Sequence, residues 1–221
     1  MRKKILLILP LLLFAITQQL QAVTCNWGYC NSVVNDQFGS VNKGKGAIYI
    51  PAEISKMYEG KQLSYVRVGL AAKAKTVKVF VTKDLNGEYI TTRTQRDQLS
   101  GFNEIKFAEP WTIDGEGFYI GYEFESDDYA LGASTMYNEN GCWADLGDGW
   151  KNYAVEDHAL ALSIQAKISG DDLPKDYWLF CSNDILAEAG KPFNINFSIR
   201  NMGTAIGRRF QVAYSIDGGE E

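Results

Sequence analysis

An all-β architecture, a jelly-roll-like β-sandwich followed by a partial immunoglobulin-like sandwich, is what this sequence predicts, and three observations predict it. Apolar and polar residues alternate with a period of two in one segment after another. Turn-forming residues separate these segments. No stretch sustains the 3.6-residue period of a long helix.

Taken in chain order, the alternation starts in "AIYI" from Ala47 and continues in "YVRVGL", where Val66, Val68 and Leu70 share a face opposite Tyr65 and Arg67. In "TVKVFVT", Val77, Val79 and Val81 alternate with Lys78 and Phe80, and the Asn86-Gly87 pair that follows is of the kind that joins hairpin strands. "NEIKF" precedes "FYIGYEFE", whose Phe118, Ile120, Tyr122 and Phe124 fall on one side and Tyr119, Gly121, Glu123 and Glu125 on the other. The first set is expected in the core, which leaves recognition to loops at the sandwich rims. "HALALSIQAKI" closes the series with Leu160, Leu162, Ile164, Ala166 and Ile168 on one face. A short helix is expected at "AEISKMY", Ala52 to Tyr58.

Residues 1–22 read as a signal peptide: Met1-Arg2-Lys3-Lys4, an apolar run from Ile5 to Ile16, then "TQQLQA", with the mature chain beginning at Val23. The apolar run is shorter than the roughly 18 residues a transmembrane helix needs, and Pro10 interrupts it. A lipid anchor on Cys25 is the alternative, against which Thr24 is bulky for the position before a lipidated cysteine. Without residues 1–22 the chain keeps 19 basic and 27 acidic residues, a net charge of −8, and its lysines are scattered. That balance argues against nucleic acid as a partner.

The sandwich is expected over residues 23–169, with a polar, turn-rich linker over 170–176. Beyond it, "FNINFSIRN" and "FQVAYSID" alternate again, but residues 177–221 hold too few strands for the seven of an immunoglobulin-like sandwich. The second unit therefore reads as partial. Four cysteines, Cys25, Cys30, Cys142 and Cys181, follow the signal segment, and an even count in an exported chain favours disulfides, with all three pairings open.

The phrases "GAIYIPAEISKMYEGKQLSYVRVGL", "KTVKVFVTKDLNG", "GFNEIKFAEPWTIDGEGFYIGYEFE" and "HALALSIQAKISG" carry a resemblance to secreted and surface β-sandwich modules of Bacteroidetes, akin to the adhesin regions of gingipain-type proteases. The segment from Leu173, through "GKPFNINFSIRNMGTAIGRRFQVAYSIDG", is similar to cell-adhesion-related immunoglobulin-like repeats. The resemblance implies a secreted or cell-surface protein and brings no catalytic positions with it.

Candidate chemistry is sparse. His158 is the one histidine, and no Gly-x-Ser-x-Gly turn accompanies it. Glu123 and Glu125 are the suspects for a glycosidase pair, although acids on one strand face usually form a hydrated surface. The phrases "DGEG", "SDD" and "DLGD" raise a structural calcium, but turn-forming Asp and Gly account for them without metal, and a zinc site is disfavoured because the C-x4-C spacing of Cys25 and Cys30 has no second matching pair. The richest stretch is "MYNENGCWADLGDGWKNY", where Tyr137, Trp143, Trp150 and Tyr153 alternate with amides and carboxylates in the manner of a sugar-recognition surface. The competing reading makes these rings caps of the sandwich. The expectation is a non-enzymatic exported protein that binds a host or cell-surface glycan or protein. The alternative is an ancillary region of a secreted protease or glycosidase.

Overall fold

The computed structural model describes residues 23–154, 160–174, 177–181, 192, 197–201 and 210–212. The expected signal segment and His158 lie outside them. In order, the elements are β1 (Val23–Trp27), β2 (Asp36–Gln37), β3 (Lys43–Ile50), α1 (Ala52–Met57), β4 (Gln62–Leu70), β5 (Ala74–Thr82), β6 (Thr91–Gln98) and β7 (Gly101–Thr112). There follow β8 (Phe118–Ser126), β9 (Gly132–Ser134), β10 (Trp143–Asp145), β11 (Trp150–Asn152), β12 (Ala161–Leu162), β13 (Ile164–Gly170), β14 (Tyr177–Cys181) and β15 (Phe197–Asn201).

Two antiparallel sheets make the sandwich, one of four strands in the order β1-β13-β4-β7 and one of six in the order β11-β10-β3-β8-β5-β6. Two-residue alternation builds the layer between them. The four-stranded sheet contributes Trp27, Val66, Val68, Ile105, Phe107, Ile164, Ala166 and Ile168, and the six-stranded sheet contributes Ile48, Val77, Val79, Val81, Phe118, Ile120, Tyr122 and Phe124. All are buried. Removing such side chains from water is the main stabilising term, about 25 cal/mol per Å² of apolar surface.

A three-stranded sheet, β12-β9-β2, closes one end. Tyr122 fastens it: the fully buried hydroxyl donates to Gly69 O at 3.3 Å and accepts from Gly132 N at 3.3 Å, joining β8 to β4 and β9. α1 follows Pro51, with Glu53 in its first turn and Lys56 in its last, both favourable to the helix dipole. β14 and β15 pair separately, with Leu179 opposite Ile199 and Cys181 opposite Phe197.

Two local expectations change, and one strand appears that was not expected. "HALALSIQAKI" divides between two sheets, β12 and β13, because Ser163 leaves the ladder to donate its N–H to Gly132 O and accept from Gly69 N. Gly87 does not take the left-handed backbone of an Asn-Gly hairpin turn. Instead the chain between β5 and β6 is a longer loop, held by Thr82 Oγ1 donating to Asp84 O at 2.7 Å and Glu88 O at 3.0 Å. Finally β6, "TTRTQRDQ", is a strand with no buried residue, at the edge of the six-stranded sheet. Polar, charged residues suit an edge that must not recruit another chain. The path from β6 to β7 turns a corner between the two sheets, with Asp97 (φ 54°) and Gly101 (φ 92°) in left-handed conformations.

Tyr122→Phe is expected to lower stability by roughly 1–3 kcal/mol, because the Gly132 N–H then loses a partner inside the protein. Urea unfolding at neutral pH measures this, and an unchanged midpoint would contradict the role given to the hydroxyl.

Candidate functional site

The same alternation that fills the core with one side of β8 places Tyr119, Gly121, Glu123 and Glu125 on the outer face of the six-stranded sheet. Strand register carries this pattern across the sheet. One row reads Trp150, Asp145, Lys45, Glu123, Lys78, Thr94 on successive strands. The next reads Asn152, Trp143, Ala47, Gly121, Phe80, Thr92. The first is a ladder of alternating charge and the second is aromatic and small.

The small residues are required by what lies over them. A Cβ on Gly121 would stand 2.3 Å from Gly46 O and 2.6 Å from the Phe80 ring. Phe80 therefore lies flat against the sheet, fully buried, with Tyr89 stacked on it at 4.4 Å and 8° and Trp150 edge-on at 6.2 Å. Trp143 meets Tyr119 edge-on at 5.6 Å, and Tyr119 meets Tyr49 at 4.8 Å. Phe80, Tyr89, Tyr119, Trp143 and Trp150 belong to a second apolar cluster, separate from the sandwich core.

Beside them runs a groove of about 470 Å³, walled by Lys43, Lys45, Lys78, Glu123, Glu125 and Asp145 with Thr76, Thr94 and Gly147. Its ion pairs are long: Lys45 Nζ to Asp145 Oδ2 is 3.9 Å and Lys78 Nζ to Glu123 Oε1 is 3.5 Å. Glu123 Oε1 also accepts from the Tyr89 hydroxyl at 2.7 Å. Burial, and then the adjacent Glu123 carboxylate, push the Tyr89 phenol above its ordinary value, so it remains a donor at physiological pH. Lys78 lies over the Tyr89 ring at 4.7 Å and Lys45 over Trp150 at 6.0 Å. The rings thus back the lysines of the groove.

The four aromatic residues singled out in the sequence separate. Trp143 and Trp150 join the outer-face cluster. Tyr153 packs on Phe38 at 5.1 Å against the sandwich core, in the capping position that its neighbourhood also suggested. Tyr137 is exposed between β9 and β10, apart from both. The Trp143 indole N–H is buried and meets no acceptor among the described residues. Tyr89, Lys45 and Lys78 were not picked out by sequence reasoning. The Lys78–Phe80 alternation was visible, but the neighbours it acquires from other strands were not.

The carboxylates of the acidic loops have partners within the chain. Asp114 Oδ1 accepts from Glu116 N at 3.1 Å and pairs with Lys83 at 2.7 Å. Asp145 Oδ1 accepts from Gly147 N and Gly149 N, both at 3.0 Å, and Asp148 pairs with Lys151. Among the described residues no three His, Cys, Asp or Glu side chains come together as a metal site. Glu123 and Glu125 stand on the same strand, two residues and roughly 6.8 Å apart along it.

No protein-family model matches the chain, and no curated protein matches it. Among solved structures, the chain is similar to the clostridial cysteine protease Cwp84 after propeptide cleavage, with a TM-score of 0.53 at 9% identity. The match covers 66% of this chain and 40% of that one. At this identity the likeness concerns the fold, and it agrees with an all-β sandwich.

Cys30 and Cys142 are buried thiols here, whereas sequence reasoning expected disulfides; the Cys181 side chain lies outside the described residues. Cys30 Sγ donates to Ile164 O at 3.5 Å. Burial pushes the Cys30 thiol up to about 11 and the Cys142 thiol up to about 12, so neither is a ready nucleophile. The folded state favours the neutral thiols, so their contribution to stability is full at neutral pH. It is lost as pH rises from about 9 towards about 12. Ellman's reagent is expected to label neither residue in native protein at pH 8 and both after non-reducing unfolding in urea. Silence of both after unfolding would instead mean that they are bridged.

Proposed function

We propose that this chain is an exported, non-catalytic β-sandwich module for adhesion or ligand binding, of the Bacteroidetes surface type its sequence resembles, with its ligand held on the outer face of the six-stranded sheet. The groove carries the reading: a cleft of about 470 Å³ lined by charged and hydroxyl hydrogen-bonding groups, with two of its lysines lying over the Trp150 and Tyr89 rings beside it. Its walls come from paired strands, which position side chains more rigidly than loops do. Cys25 supports release by signal cleavage over lipid anchoring, since its side chain is 7% exposed in β1, opposite Ile168. Among the described residues no helix is long and apolar enough to cross a membrane.

A second reading, an ancillary region of a secreted protease, is favoured by the fold shared with part of Cwp84. The two are compatible, because such a region can tether an enzyme where its substrate lies. Under this reading the module alone hydrolyses no casein. Added in excess, it releases cell-attached peptidase activity into the medium, and retention of all that activity counts against tethering.

For the groove, Trp150→Ala is expected to weaken binding to glycan and matrix-protein arrays about tenfold or more, because it removes the ring that backs Lys45 and packs on Phe80. Tyr137→Ala is expected to change little. Equal binding by the folded Trp150→Ala protein and the parent would sink the assignment of the site.

A further inference from the structure

Resting on the groove as the binding site, we infer that its occupant is an uncharged glycan chain laid across the strands, and that polyanions are rejected. The charge count sets the direction. Three lysines and three carboxylates wall the groove, so it presents no net charge to a ligand despite the acidity of the whole chain.

The ladder geometry adds the chemistry. Charge-assisted N–H···O contacts close to about 2.7–2.9 Å when fully made. At 3.9 and 3.5 Å, the Lys45–Asp145 and Lys78–Glu123 pairs are associated yet leave hydrogen-bonding directions open. A sugar hydroxyl satisfies both members of such a pair, accepting from the ammonium and donating to the carboxylate, and leaves no charge uncompensated. An anionic group satisfies the lysine alone and faces the carboxylate beside it, which costs affinity. A cation has the converse difficulty.

Spacing favours a chain over a single sugar. Asp145, Lys45, Glu123 and Lys78 occupy four successive strands. Strands lie about 4.8 Å apart, close to the length of one pyranose unit in an extended glycan. Each unit of such a chain meets a new donor or acceptor, and Trp150, half-buried beside the groove, closes the row at its β11 end.

Isothermal titration of residues 23–221 with neutral xylan, mannan and mixed-linkage glucan, against polygalacturonate, heparin and an acidic peptide, tests this. The expected result is binding of at least one neutral glycan, nearly unchanged from low to high NaCl and weakened about tenfold or more in Trp150→Ala. Thr94→Tyr, at an exposed position of the edge strand lining the groove, is expected to abolish the same binding by filling the cleft. Circular dichroism and melting establish that both variants are folded. Binding only of polyanions or the peptide, blocked by Thr94→Tyr, overturns the ligand class and keeps the site. Binding of any probe unaffected by both folded variants overturns the site itself. Absence of binding to every neutral glycan overturns the inference.

Discussion

The register of β8 between β3 and β5 is the constraint on which both faces of the six-stranded sheet depend. Side chains alternate with a period of two, so slipping β8 by one residue would drive Glu123 and Glu125 into the sandwich and bring Phe118, Ile120 and Phe124 into water. Burying an unpaired carboxylate costs far more than any contact it could form there. The core therefore sets the register, and the register determines which residues meet outside. Lys45 and Lys78 flank Glu123 because Ile48 and Val79 are required inside. Gly121 adds a second lock, since its backbone lies against Gly46 O and the Phe80 ring and no other residue fits that position.

The outer face is more elaborate than stability requires. Exposed ion pairs contribute about 0–1 kcal/mol each and weaken with salt, so the alternating ladder adds little to a sandwich already held by its interior. Phe80, Tyr89 and Trp150 are likewise not needed to complete the core, as they form a cluster of their own on the far side of the sheet. A sheet face turned only to water would be satisfied by Thr, Arg and Gln, as on β6. Aromatic rings behind paired charges suit recognition, because the rings pack into a platform that holds the charges in place. Tyr89 links the two functions, with its ring on Phe80 and its hydroxyl on Glu123.

Much of the fold was legible in the sequence because its strands obey a local rule. Each residue named on the inner side of "FYIGYEFE" and "TVKVFVT" is buried, and the helix at Ala52 ends within one residue of its expected limit. What escaped were elements with no local signature. β6 has no apolar alternation because its partner β5 and the solvent, not the core, determine its composition. β9, β10, β11 and β12 are two or three residues long, too short to show a period. In the same way, "HALALSIQAKI" looks continuous in sequence, yet the break at Ser163 depends on Gly132 and Gly69, which are distant along the chain.

The candidate site was legible only in pieces, and the reason is geometric. Sequence spacing brings Trp143, Trp150 and Tyr153 together as neighbours in one loop-rich stretch, and the expectation of a rim site followed from that proximity. The structure instead assigns them by strand face: Trp143 and Trp150 belong to β10 and β11 on the outer side, while Tyr153, past the end of β11, turns to Phe38 and the core. Their companions Lys45, Lys78, Tyr89 and Glu123 come from β3, β5, the loop after it and β8, each contributing one polar side chain that has no distinctive context of its own. A site assembled from single residues of several strands leaves no motif; it exists only in the register, and the register is dictated from the opposite face of the sheet by the residues packed into the core. The candidate site and the core are in this sense coupled through the same hydrogen-bonded ladder, so a substitution inside the sandwich that shifts β8 would also disperse the charges of the groove.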